Sequence, residues 1–256
     1  MSPSAAPSPT RGAQHQEAPP QQRPPQTPPR APHTGRRPQS GPPLLAPVLA
    51  FAALTIAYVV VNRATPHPDA TGTAVLQYTR AHATTVRVGA YLLFSSAVPL
   101  ALTAAVLYRR LRALGITAPG SAITLTGGIL ASAALAAGGG FAWTGGRLPA
   151  DASPALARAL ADLSFLSGGP GFAVMLALLI AGVAVPGLLA HLLPRPLAWT
   201  GLALAAVGMV SSLTLLADGF DYLLPVVRFG GLVWLVLAAV RLPATRHRVV
   251  RGSAGA

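Results

Sequence analysis

Of the 256 residues, 52% are hydrophobic and only 10% are charged, far below the roughly 25% charge of soluble domains. The absence of cysteine excludes disulfides and thiolate metal sites. The net charge of +13 does not indicate nucleic-acid binding, because the nineteen basic residues, all arginine, lie mostly in terminal segments and short loops between apolar runs.

Residues 1–42 form one compositional block with repeated "PP" pairs, five arginines and Glu17 as the sole acid. With almost nothing apolar to bury, the block is predicted to be a disordered cytoplasmic tail, partly polyproline II. Its "PQTP" and "PRAP" spacings arise by chance in a stretch so rich in proline.

The polarity then switches. Pro43 to Val61 carries no charge over 19 residues, enough to cross a bilayer. A signal-peptide core is shorter and follows a short basic leader, so a retained span is predicted. Further runs cover residues 88–108, 121–143, 164–190, 197–217 and 222–240. The chain is therefore predicted to be all-α: a six-span transmembrane helix bundle over residues 43–243, with a disordered N-terminal tail and a short basic cytoplasmic C-terminus at 244–256.

Small residues mark predicted contact faces, because lipid does not drive helices together and close packing must. Gly127, Ala131, Ala134, Gly138 and Ala142 share one face of the third run, and Gly201, Ala205, Gly208 and Ser212 share one of the fifth. Ahead of the fourth run, "ADASPALARALADLSF" predicts a helix start with Ser153 as N-cap, Pro154 at N1 and an Arg158–Asp162 surface pair. "SGGPG", Ser167 to Gly171, predicts a helix break or tight crossing point, since Pro170 cannot donate.

With six spans, thirteen arginines fall on the side of the two termini and five on the other. The positive-inside rule then places both termini in the cytoplasm of a plasma-membrane protein. The bilayer is the expected partner, with anionic lipids at the basic cytoplasmic face.

The six histidines are scattered without metal-ligand spacing, and neither a GxSxG nor a Walker A pattern occurs. No catalytic residue, metal site or cofactor is predicted. The ionisable candidates for a polar or ligand site are Arg228, Asp162, Asp221, Asp218 and Arg87, all near the predicted outer ends of spans. Arg228 lies three residues beyond Pro225, about 5 Å deeper at helical rise. Its side chain leans toward the N-terminus of its helix, here the outer face. Three readings follow: an interfacial anchor with an aspartate partner, a clamp to Asp162 between spans four and six, or an arginine binding an anionic headgroup or solute. The expectation is an interfacial, carboxylate-paired arginine.

At "LSFLSGGPGF", "LLPRPLAWTGLALAAVG" and "YLLPVVRFGGLVWLVLAA" the chain resembles a group of uncharacterised actinobacterial multi-pass integral membrane proteins. The resemblance covers about residues 43–243. It implies membrane topology and carries no activity. The expected function is non-enzymatic, structural or regulatory. The alternative is a transporter or binder of a small solute, ion or amphiphile with a site near Arg228 and Asp162. No mid-membrane carboxylate supports a coupled carrier.

Overall fold

The computed structural model describes residues 43–116 and 119–243. The predicted N-terminal tail and C-terminus lie outside the described residues. Within them all regular structure is helical: α1 (Leu45–Val61), α2 (Gly72–Ala81), α3 (Ala83–Ala113), α4 (Pro119–Gly145), α5 (Pro154–Leu166), α6 (Phe172–Leu189), α7 (Arg195–Val210) and α8 (Leu223–Arg241). A π-helical turn, Ser167–Gly171, joins α5 to α6, and short 3-10 turns follow at Ser211–Leu215 and Asp218–Phe220.

Five helical runs among the described residues are long and apolar enough to cross a membrane: α3, α4, the continuous α5–α6 rod, α7 with its 3-10 extension, and α8. The α1 helix has 17 residues. At 1.5 Å per residue it reaches about 25 Å, short of a hydrocarbon core of about 30 Å.

The helix α2 was not foreseen. It lies in the stretch between the first two predicted spans and carries no long apolar run. The Thr71 hydroxyl caps it by accepting from the Ala74 N–H at 3.3 Å. Only His82 separates α2 from α3. The α3 helix also overruns its predicted span at both ends, so Arg109, Arg110 and Arg112 sit on its last turns rather than in a loop. There Arg110 donates to the Leu242 carbonyl at 3.2 Å, tying α3 to the end of α8.

Of the two expectations for "SGGPG", the break is corrected and the tight crossing point holds, since α4 meets this turn where Gly138 approaches Gly168. The rod continues through Pro170, which is buried, because a π turn absorbs the missing donor. Ser153 and Pro154 behave as predicted: the Ser153 hydroxyl accepts from the Leu156 N–H at 3.2 Å and Pro154 opens α5.

The small-residue faces are contact faces. A Cβ on Gly127 would meet the α6 backbone at Leu178 and Met175, 2.9 Å away. One on Gly138 would lie 3.0 Å from the Gly168 nitrogen. Gly201 lies under the Trp234 indole, whose N–H donates to the Leu197 carbonyl at 2.8 Å. Gly208 packs on Ala177 and Ala173 of α6. Around these seams Phe51, Leu100, Phe172, Leu176, Ile180 and Leu235 are buried. Helix α1 packs on α3 and α8, and its Phe51 meets Phe172 at the start of α6 with ring centroids 6.3 Å apart. Hydroxyls inside the bundle bond back to their own helices, as with Thr103 to the Pro99 carbonyl at 2.8 Å and Ser132 to Gly128 at 2.8 Å. Large apolar side chains such as Tyr91, Val98, Leu102, Val233 and Val240 are exposed on the outside, the surface expected of helices that face lipid tails.

Candidate functional site

The end of the bundle where α1 finishes and α8 begins holds a half-open cavity of about 510 Å³. Its walls come from α1, α2, α3, α4, α5 and α8, and α2 with the loop before it forms part of the enclosure. Two guanidinium contacts hold that enclosure. Arg158 of α5 donates to the Ala70 carbonyl. Arg80 of α2 donates to the Ala150 carbonyl at 2.6 Å. A Cβ on Gly72 would lie 2.5 Å from the Pro154 carbonyl oxygen, so the start of α2 sits directly on the start of α5.

Arg228 is on the cavity wall. Pro225 occupies the first turn of α8, where its missing N–H removes no helical bond. One turn later the Arg228 side chain crosses to the π turn and donates to the Gly168 carbonyl. The π register accounts for that acceptor. The Phe172 N–H is directed to the Ser167 and Gly169 carbonyls and skips Gly168. The guanidinium carbon lies 5.3 Å from the Phe172 ring centroid and 5.8 Å from that of Tyr58, within the range of a cation–π attraction.

The expected carboxylate partner is a second correction. Among the described residues no ion pair joins Arg228 to Asp162 or Asp221, so the clamp between spans four and six is not formed and the anchor does not pair with either of these aspartates; the Asp218 side chain, the remaining expected partner, lies outside the described residues. Asp162 is already held by Arg158, four residues back on the same helix, whose Nε donates to its two oxygens at 2.8 and 2.9 Å. That pair matches the sequence expectation. The nearer acceptor for Arg228 is a backbone carbonyl exposed by the π turn.

The cavity brings together three of the five candidate residues, Arg228, Asp162 and Asp221. Asp221 Oδ1 is buried with no hydrogen-bond partner. Asp218 opens a 3-10 turn, and its side chain lies outside the described residues. Arg87 is exposed and bonds back to the Ala83 carbonyl at 3.3 Å. It borders a separate crevice of about 370 Å³ between α3 and α4, beside Tyr91, Phe94 and Trp143.

Sequence reasoning missed Tyr58 and Asn62 at the end of α1, which also line the cavity. Asn62 donates to the Tyr58 carbonyl at 3.0 Å and presses against Gly89 of α3, where a Cβ would come within 2.6 Å of the amide oxygen. An Asn closing a span reads as an ordinary helix stop, so no sequence signal separates it. The wall is largely apolar, with Phe141, Leu160, Phe165 and Leu224 among its residues. The arrangement suits holding a small molecule with an apolar body and a few polar contacts. The chain matches no family model, no curated protein and no solved structure.

Proposed function

We propose that this is a non-enzymatic, six-span plasma-membrane protein that holds a small amphiphile in the cavity beneath α2. The sixth span is α1. Its shortfall is about three residues, and its packing against α3 and Phe172 keeps it alongside the longer helices. With six spans the arginine count favours cytoplasmic termini, and the cavity then opens toward the outer face. Anionic lipids would meet the arginine-rich inner ends. The likeness to uncharacterised actinobacterial membrane proteins belongs to the same reading and adds topology alone.

The observation that carries the binding role is Arg228. A guanidinium set into the wall of a largely apolar cavity has a carbonyl and two rings as its neighbours and no ion-pair partner among the described residues. The test is mass spectrometry of small molecules retained by the protein in polymer-bounded native membrane discs. Ala161→Phe, which fills the cavity from α5, should lose a compound that the wild type retains. Identical spectra for the two proteins would refute the binding role.

A further inference from the structure

The charges on the cavity wall are not all available to a ligand. Arg158 and Asp162 neutralise one another. His67 lies 3.0 Å from Asp69 at the rim, both exposed. Arg63 is exposed to solvent. Beyond Arg63 at the exposed rim, two opposite charges remain among the described residues: Arg228, with one nitrogen on the Gly168 carbonyl, and Asp221, whose Oδ1 is buried and without a partner. Both line one cavity, yet no ion pair of 4.0 Å or less joins them.

A plain anion placed on Arg228 would share the cavity with the Asp221 carboxylate, and a plain cation on Asp221 would share it with Arg228. In a space with apolar walls either arrangement leaves a like-charge repulsion that water screens poorly. A ligand carrying both signs satisfies both groups at once. The rest of the wall is largely apolar, with Phe141, Leu160, Phe165 and Leu224, and would cover a hydrocarbon chain.

We infer that the ligand is a zwitterionic amphiphile, its anionic group on Arg228, its cationic group toward Asp221 and its chain against the apolar wall. This rests on the cavity being a binding site, and the experiment separates the two claims. Binding is measured by native mass spectrometry on the full chain in a nonionic detergent. The probes are lysophosphatidylethanolamine, lysophosphatidylglycerol with the same chain, and chain-free O-phosphorylethanolamine. The wild type should bind the zwitterionic lysolipid at least about tenfold tighter than the anionic one, the scale of one charge-assisted contact. Asp221→Asn should erase that preference. Arg228→Gln should weaken both lysolipids, and Ala161→Phe, which keeps the arginine, should do the same if Arg228→Gln fails to fold. Equal or tighter binding of the anionic lysolipid by the wild type, still lost on filling the cavity, overturns the zwitterion and leaves the cavity reading standing. Binding as tight by O-phosphorylethanolamine overturns the chain. Lysolipid binding that Ala161→Phe leaves unchanged, or no binding at all, overturns the cavity reading and the zwitterion with it.

Discussion

The Arg228 guanidinium of α8 donates to the Gly168 carbonyl in the π turn between α5 and α6. This bond joins two devices that the chain places 60 residues apart. Pro170 removes a donor from the rod and the π register shifts its neighbours' bonds, leaving a carbonyl that needs another partner. The arginine supplies it and, in the same position, borders the cavity. A structural latch and a ligand contact are therefore compatible in one side chain, because a guanidinium has five N–H donors and the carbonyl takes one of them.

Replacing Arg228 with Leu should cost about 1–3 kcal/mol, the penalty for an unsatisfied buried carbonyl, and not the 3–5 kcal/mol of a stripped buried ion pair. The measurement is reversible unfolding in mixed detergent micelles. A double-mutant cycle with Asp162→Asn should give a coupling below about 0.5 kcal/mol, since the two groups share no contact. A coupling above about 1 kcal/mol would restore the clamp between α5 and α8.

Helix α4 offers a paired comparison. Gly127→Ala drives a Cβ into α6 backbone, with Leu178 and Met175 atoms at 2.9 Å, and backbone cannot rotate aside. Gly140→Ala meets nothing within 4 Å. The first substitution should destabilise by about 1–3 kcal/mol as overpacking. The second should be neutral or stabilise by up to about 1 kcal/mol, through helix propensity. Equal effects in the same unfolding assay would show that α4 and α6 do not cross at Gly127.

The parts of this architecture legible in the sequence are those written locally. Apolar runs announce the long helices. Ser153, Pro154, Arg158 and Asp162 lie within ten residues and declare a cap and an ion pair by spacing alone. At Ser167–Gly171 the sequence leaves a break and a tight crossing both open, because whether a helix stops or shifts register at Pro170 depends on what packs against it, here Gly138, whose carbonyl accepts from the Ser164 hydroxyl at 2.9 Å. The partner of Arg228 was sought among aspartates because a backbone carbonyl has no sequence signature. The cavity itself arises where six helices converge, and α2, the element that helps enclose it, has too few apolar residues to stand out from a loop.

Ser153→Ala tests how far that enclosure depends on the start of α5. Losing the hydroxyl that accepts from Leu156 should cost about 0.5–2 kcal/mol. The effect should be local. Hydrogen exchange should speed up over Pro154–Arg158 and, through the Arg158 contact to the Ala70 carbonyl, over the start of α2, while α4 and α6 stay protected. Faster exchange confined to α5 would show that α2 is held by other contacts.

The last prediction concerns the sidedness of the whole bundle. Asn62 to Thr71 and Gly146 to Ser153 are connections at the cavity end. The arginine count assigns that end to the outer face, and it does so only if α1 crosses the membrane. A reporter active only in the cytoplasm should therefore be active when fused after Ala256 and silent when inserted after Ala70 or Ala152. If α1 instead lay along the surface, residues 1–42 would share a side with Ala70 and the C-terminus would lie opposite. A reporter inserted ahead of Leu44 separates these cases: activity at both termini with silence at Ala152 fixes six spans. Activity at Ala152 would place Arg228 and the cavity on the cytoplasmic side and break the six-span arrangement.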